Sequence, residues 1–276
     1  MKHQKQAEKQ KTYLVTSALP YANGDIHLGH LVEVVQTDIF VRFQKLYGNK
    51  AVYVCADDTH GTPIELAALK RGISPEKLIN EAWNNHVSDY KHFLIDFDIF
   101  YTTNSPENKY YAELIYSKLN ENGLIHDKEV EQYFCEHDKR FLPDRFIVGE
   151  CPKCSAQEQY GDVCESCGAA YDPTELKNPQ CIICRNRPIL KKSTHVYVDL
   201  AQKTEFLKDL INNKNIVAED MKNFINGWIH DGLKEWCISR DGPYFGFKIP
   251  GYSDKYFYVW LDAPIGYLSS TEKWCK

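Results

Sequence analysis

Four residues near the start of the chain, His27-Leu28-Gly29-His30, have types and spacing that suit a nucleotide polyphosphate. A helix N-terminus at this point would offer free N–H groups and the positive end of a dipole, and Gly29 would permit close approach. His27 and His30 could then donate hydrogen bonds to phosphate oxygens and stabilise charge developing on the α-phosphate during adenylyl transfer. Two ordinary surface histidines beside a turn are the competing reading, and for an isolated motif it would prevail.

A second chemistry is metal ligation. Six of the ten cysteines fall in Cys-x-x-Cys pairs between Cys151 and Cys184. Cys151-x2-Cys154-x9-Cys164-x2-Cys167 is a tetrathiolate signature that closes one tetrahedral Zn2+, and four thiolates leave no open position for catalysis. Cys181 and Cys184 remain as half a site. Cys135 and His137 precede the first pair and would complete a second tetrahedral site, an incidental pair being the alternative. The cysteines are not spread as a disulfide framework would be, and the Lys/Gln-rich start has no apolar core of a secretory signal. A cytoplasmic, reducing location is expected.

The elements that must position these groups are legible in outline. Thr12–Ala18 is a β-branched run that ends in a turn-rich stretch. Apolar residues from Leu31 to Leu46 then recur at three- and four-residue steps, which predicts a helix over about His30–Tyr47. Ala51–Ala56 is a second buried strand. Strand, turn, helix and strand make the opening unit of a parallel sheet that binds ligands beyond its carboxyl ends, and this context confirms the phosphate motif. Further helices are expected over Pro63–Arg71, from Ser74-Pro75 onward and over Pro106–Asn122, with a third strand at Ile99–Thr102. After about residue 124 helical periodicity gives way to dense Cys, Pro and Gly. Two amphipathic stretches, Gln202–Asn213 and Glu219–His230, follow, and Tyr256–Leu261 is again a strongly apolar strand.

The expected fold class is thus α/β, a Rossmann-like parallel sheet interrupted by a zinc-binding insert. Its parts are a flexible N-terminus (1–11), a first catalytic portion (12–122), the insert (123–232) and a second catalytic portion (233–276). With 33 basic and 38 acidic residues the net charge is −5, which argues against a surface that coats nucleic acid. No apolar run is long enough to cross a membrane.

His-x-Gly-His after a first strand resembles the motif shared by class I aminoacyl-tRNA synthetases and related nucleotidyltransferases. Its flanks are more specific. Ala18-Leu19-Pro20-Tyr21-Ala22-Asn23-Gly24-Asp25-Ile26-His27-Leu28-Gly29-His30 is similar to the methionyl form. So are Cys55-Ala56-Asp57-Asp58-Thr59-His60-Gly61-Thr62-Pro63, Ile238-Ser239-Arg240-Asp241 and Tyr258-Val259-Trp260-Leu261-Asp262-Ala263-Pro264-Ile265-Gly266-Tyr267. The likeness covers nearly all of the chain after residue 11, the zinc insert included.

The resemblance implies a methionine pocket lined by Ala18, Leu19, Tyr21, Trp260, Ala263, Pro264 and Tyr267, with sulfur–aromatic contacts adding to apolar fit. It assigns Asp58 to the substrate ammonium and Arg240 to adenylate formation. Capping of a following helix and a surface ion pair are their respective alternatives. The implied reaction joins methionine and ATP as methionyl-adenylate, then passes the acyl group to the acceptor end of tRNA(Met), with Mg2+ accompanying ATP. The resemblance permits one zinc or two. An insert of about 110 residues is too small to hold an editing domain as well. A KMSKS-like second ATP motif and an anticodon-binding domain are not found, so the chain is expected to be an N-terminal fragment, inactive alone. Another adenylyltransferase and a non-catalytic methionine- and zinc-binding paralogue are the rival readings.

Overall fold

The computed structural model describes residues 10–143, 145–213 and 216–276, so most of the expected flexible N-terminus lies outside the described residues. The chain packs as two compact units, Met1–Ala112 with Val259–Lys276, and Glu113–Tyr258.

In the first unit β1 (Thr12–Thr16), α1 (Leu28–Leu46), β2 (Lys50–Asp57), α2 (Thr62–Arg71), α3 (Pro75–His92), β3 (Ile99–Thr102) and α4 (Pro106–Glu121) follow one another, α4 running into the second unit. The three strands form a parallel sheet in the order β1-β2-β3. The central strand is buried almost throughout, Tyr53 to Asp57 all at 1% exposure or less. That explains its nearly continuous apolar run, because a parallel strand is covered on both faces. Val41 of α1 packs on Ala51 and Tyr53 with Tyr13, Val15, Ile95 and Phe97 around them. Local signals set the ends of the helices. Ser74 caps α3 by accepting from the Lys77 N–H at 3.2 Å, with Pro75 in the first turn. Gly72 ends α2 at φ +63°, a left-handed conformation that costs a residue with a Cβ.

The second unit holds β4 (Ile125–Cys135), β5 (Arg140–Phe141), β6 (Ile147–Glu150), β7 (Gln159–Tyr160), β8 (Lys177–Cys181), β9 (Ile189–Val198), α5 (Thr204–Asn213), α6 (Glu219–Asp231), β10 (Trp236–Cys237), β11 (Ser239–Asp241) and β12 (Lys255–Phe257). Its long β4–β9 ribbon is antiparallel from Ile125↔Val198 to Phe134↔Ile189. β10 and β5 flank that ribbon in the order β10-β9-β4-β5, and a separate sheet has the order β7-β6-β8. The unit reaches beyond the expected insert at both ends, from Glu113 to Tyr258. Pairing accounts for the later end: Trp236 and Cys237 hydrogen-bond to β9, and β11 pairs with β12.

The chain returns to the first unit through α7 (Val259–Asp262) and α8 (Gly266–Cys275). The strand expected over Tyr256–Leu261 is therefore corrected. It divides into the end of β12, with Phe257 fully buried, and the helical turn α7. A short apolar run carries no periodicity that separates strand from helix. No helix among the described residues is long and apolar enough to cross a membrane.

α8 approaches the sheet closely at Gly266. A Cβ there would lie 2.6 Å from Leu19 Cδ1 and 2.9 Å from Thr103 Cγ2. Gly266→Ala should destabilise the protein by about 1–3 kcal/mol through overpacking. Denaturant unfolding measures this, and an unchanged midpoint and slope would show that the helix has room to retreat.

Candidate active site and metal centres

The carboxyl ends of β1 and β2 stay joined after the strands end. Asp58 N–H donates to Pro20 O and Ala22 N–H to Asp58 O, both at 2.8 Å, so the turn after β1 runs beside the loop after β2. Thr103 N–H donates to Asp57 O at 2.9 Å and extends the same device to β3. Residues 17–22, 58–60 and 103–104 therefore form one layer above the sheet, where a parallel sheet presents its ligands.

One side of this layer is the start of α1. His27 is the N-cap, and its Nδ1 accepts from the Gly29 N–H at 3.1 Å. His30 Nδ1 accepts from the His27 N–H at 3.3 Å, and the two rings stack with centroids 3.7 Å apart. Because each Nδ1 is an acceptor, each neutral ring carries its proton on Nε2. Burial, and then the charges of His27 and His86, hold the basicity of His30 below its ordinary value. A Cβ on Gly29 would lie 2.9 Å from His27 Cε1, so a larger residue here would displace the His27 ring from its position. The result is a helix terminus flanked by two Nε2–H donors, an arrangement suited to an anion.

The other side is a cluster of buried carboxylates. Asp57 and Asp262 are fully buried. His86 Nδ1 lies 2.7 Å from Asp57, and His60 Nδ1 lies 2.6 Å from Asp262. Burial opposes charging either imidazole, yet the carboxylate partners carry both above their ordinary basicity. Among the described residues no imidazole nitrogen is seen hydrogen-bonded to the Asp58 carboxyl, although His60 acts on it through its charge. One of its oxygens accepts from the His60 backbone and the other, Oδ1, is buried without a hydrogen bond. Burial, and then the charge of Asp262, push its carboxyl up to about 8.

Of the expected pocket residues, Leu19, Tyr21, Asp58, Ala263 and Tyr267 lie in this part of the first unit. The Tyr267 hydroxyl, its pKa pushed up chiefly by burial, meets the Leu19 backbone, and the Tyr21 hydroxyl donates to His60 O. Ala263 is buried beside Asp262, whereas Ala18 and Pro264 are exposed and Trp260 is 63% exposed. Arg240 belongs to the second unit, its guanidinium 3.8 Å over the Tyr258 ring and donating to Ser239 O at 2.8 Å. The residues that sequence reasoning did not single out are His60, Asp262, His86 and Asp57. They support Asp58 and its neighbours from elements far apart in the chain.

In the second unit the sulfurs of Cys151, Cys154, Cys164 and Cys167 converge. Cys151–Cys167 and Cys154–Cys164 are 3.9 and 3.6 Å apart, against about 3.8 Å for the edge of a Zn–thiolate tetrahedron. The donor set fits zinc. A second cluster joins Cys135, Cys181 and Cys184, but its fourth member is Asp138, not the expected His137. Asp138 Oδ2 lies 3.2 Å from Cys135 Sγ and 3.0 Å from Cys181 Sγ, and Cys135 lies 3.4 Å from Cys184. The His137 side chain is 66% exposed and only touches Asp138 Oδ1, at 2.9 Å.

The physical reason is a shared turn. The residues after Cys154, Cys184 and Asp138, namely Ser155, Arg185 and Lys139, all have positive φ, as does Gly168 after Cys167. The N–H groups of Cys154, Cys167 and Asp138 each point to the sulfur three residues earlier, at 3.4 Å. Cys135-x2-Asp138 is thus a fourth knuckle, and the knuckle turn leaves its third residue outside.

Residues 13–276 match the family model for class I tRNA synthetases (M). A methionine–tRNA ligase of Myxococcus xanthus is 55% identical over 263 residues, which are 95% of this chain and 37% of that protein. One of Leptospira biflexa is 55% identical over 261 residues, 95% of this chain and 38% of the relative. The chain thus spans less than two-fifths of the length of these curated relatives. A solved structure of Mycobacterium tuberculosis methionyl-tRNA synthetase in complex with methionyl-adenylate is similar in fold, with a TM-score of 0.70 at 22% identity. That match covers 95% of this chain and 47% of the other.

Two outcomes are expected. The purified chain should contain two zincs by elemental analysis, with Asp138→Ala and Cys154→Ser each removing one and His137→Ala removing none. A loss of zinc on His137→Ala would restore the histidine as the ligand. Asp58→Asn should raise the thermal midpoint near pH 8 and leave it unchanged near pH 4. An acid whose folded pKa is raised binds its proton more tightly when folded, so its penalty is absent at low pH. The penalty grows as pH climbs towards about 8. A midpoint difference independent of pH would contradict this.

Proposed function

The chain belongs to the class I tRNA synthetases (M), and from that premise we propose that it carries the methionine-activating site of a methionine–tRNA ligase. Methionine carboxylate attacks the α-phosphorus of ATP, giving methionyl-adenylate and pyrophosphate. The acyl group then passes to the terminal ribose of tRNA(Met).

The observation that carries this reading is the division of charge within the first unit. A helix N-terminus with two Nε2–H donors and a buried carboxylate without a hydrogen bond on Oδ1 share the carboxyl ends of adjacent parallel strands. The first suits phosphate, the second an ammonium. Asp58 holds the ammonium of methionine, and Leu19, Tyr21, Ala263 and Tyr267 enclose its side chain, with Ala18, Trp260 and Pro264 at the margin. His27 and His30 donate to the phosphates and stabilise the charge that grows on them. Arg240, which the family resemblance assigns to adenylate formation, is a permanent cation in a fork geometry that suits phosphate. Positioning accounts for most of the catalysis, because the reacting carboxylate and phosphorus need only be held in line. Mg2+ brought in with ATP would neutralise charge between its phosphates.

The second unit contains the connective insert, expected at 123–232. Its knuckles have little apolar core of their own, so zinc at each cluster would contribute directly to folding. Thiolates kept reduced for zinc fit the cytoplasm.

Calorimetric titration of the purified chain tests the reading. Methionine should bind and leucine should not. Asp58→Asn should weaken methionine by roughly tenfold to a hundredfold, the weight of about 1.5–3 kcal/mol for a hydrogen-bonded charge. Equal affinity for leucine, or full affinity in the variant, would refute it.

A further inference from the structure

The carboxylate cluster of the first unit has an odd count. His86 Nε2 lies 2.8 Å from Gly24 O, a group that can only accept, so that nitrogen carries a hydrogen. The 2.7 Å contact of its Nδ1 with Asp57 then needs a second proton between them. His60 Nδ1 is likewise 2.6 Å from Asp262, its Nε2 faces Asn104 Oδ1 at 3.4 Å, and the basicity of both partners is raised, so this pair also holds a proton between them. Each pair is electrically neutral as a unit, whichever atom holds the proton. Asp58 is the third carboxylate, and the charged and titratable groups that face it are already committed. They are Asp57 at the end of β2, His60 in the same loop, Asp262 on α7 and Tyr267 on α8, with Tyr21 bridged to its backbone. A buried carboxylate cannot stay ionised and alone without a large desolvation cost.

We propose that Asp58 holds a proton in the free protein and exchanges it for the ammonium of the amino acid, so that methionine binding releases one proton to solvent. This rests on the assignment of Asp58 to the ligand's ammonium. The balance is simple: the ligand brings one positive charge, Asp58 loses one proton, and the net charge of the cluster is unchanged. The raised basicity of the Asp58 carboxyl, to about 8, agrees with this charge count. The two imidazole–carboxylate pairs are the positioning groups. Asp57 Oδ2 and Asp262 Oδ1 also lack a hydrogen bond, but both of those carboxylates already share a proton with an imidazole, and the Asp58 carboxyl does not. A neutral site also selects against bound metal ions and free cations at rest, because only a ligand with further contacts can offset removal of the proton.

Calorimetry of methionine binding to the chain, in two buffers of different ionisation heat, reads the proton count directly. About one proton should be released per methionine near neutral pH, and affinity should rise by up to about tenfold per pH unit between about pH 6 and pH 8. Methioninol, which keeps the ammonium and lacks the carboxylate, should release the proton as well. The desamino analogue, which keeps the carboxylate and thioether, should release none. Methionine binding with no buffer-dependent heat and no pH dependence would overturn the exchange while leaving the site assignment intact. Proton release by the desamino analogue would also overturn it, since the release would then not depend on an ammonium. Failure of methionine to bind at all would overturn both the assignment and the exchange.

Discussion

Burying charge at the carboxyl ends of a parallel sheet is the constraint on which the first unit depends. Three carboxylates stand in one layer, Asp57, Asp58 and Asp262, in surroundings where an uncompensated charge costs several kcal/mol. The fold meets that cost by bringing two imidazoles to them, and doing so fixes much of the architecture. His86 ties α3 to the end of β2 and to the turn before α1. His60 ties the loop after β2 to α7. Asn108 of α4 then donates to Asp262 O at 3.2 Å and accepts from Ser269 of α8 at 2.9 Å. Polar contacts thus join α3, α4, α7 and α8 to the end of the sheet, beside the apolar packing of residues such as Tyr90 on Phe97 and Phe100.

The second unit meets a different constraint with a repeated device. Its segment from Cys135 to Cys184 contains few buried apolar residues, so little of its stability can come from a core. Four knuckles of the same turn take the place of that core, each closed by a backbone pair five residues apart: Cys151 with Ala156, Cys164 with Ala169, Cys181 with Asn186 and Cys135 with Arg140. The first three have cysteine at the fourth position and the last has Asp138. A carboxylate oxygen is a normal zinc ligand, so the substitution changes the donor set without changing the turn.

Much of this could be read from the chain alone, and what could not has a physical explanation. Local signals located β1, β2, β3 and the first four helices to within a few residues, because Ser74-Pro75, Gly72 and the alternation of apolar runs act over short distances. The tetrathiolate was legible for the same reason. Asp138 was also within reach, since Cys135-x2-Asp138 repeats the spacing of the three cysteine pairs. A histidine one residue earlier drew attention because of its chemistry, not its place in the turn. The split of Tyr256–Leu261 was hidden, as an apolar run of that length suits a buried strand or a helical turn equally. His60 and Asp262 are 202 residues apart, and nothing local marks either as the partner of the other.

The same reasoning accounts for the contrast between the two sides of the candidate site. The phosphate-facing side works only if His30 stays neutral, because its Nδ1 must accept the His27 N–H to hold the ring across the helix terminus. Protonation would turn that nitrogen into a donor and release the ring. Burial lowers the basicity of His30, and its neighbours His27 and then His86 lower it further. His86 owes that charge to Asp57, on the carboxylate side. One imidazole therefore touches both halves: it hydrogen-bonds a buried carboxylate in one and disfavours protonation of His30 in the other. The candidate anion motif and the carboxylate cluster are thus linked electrostatically through His86.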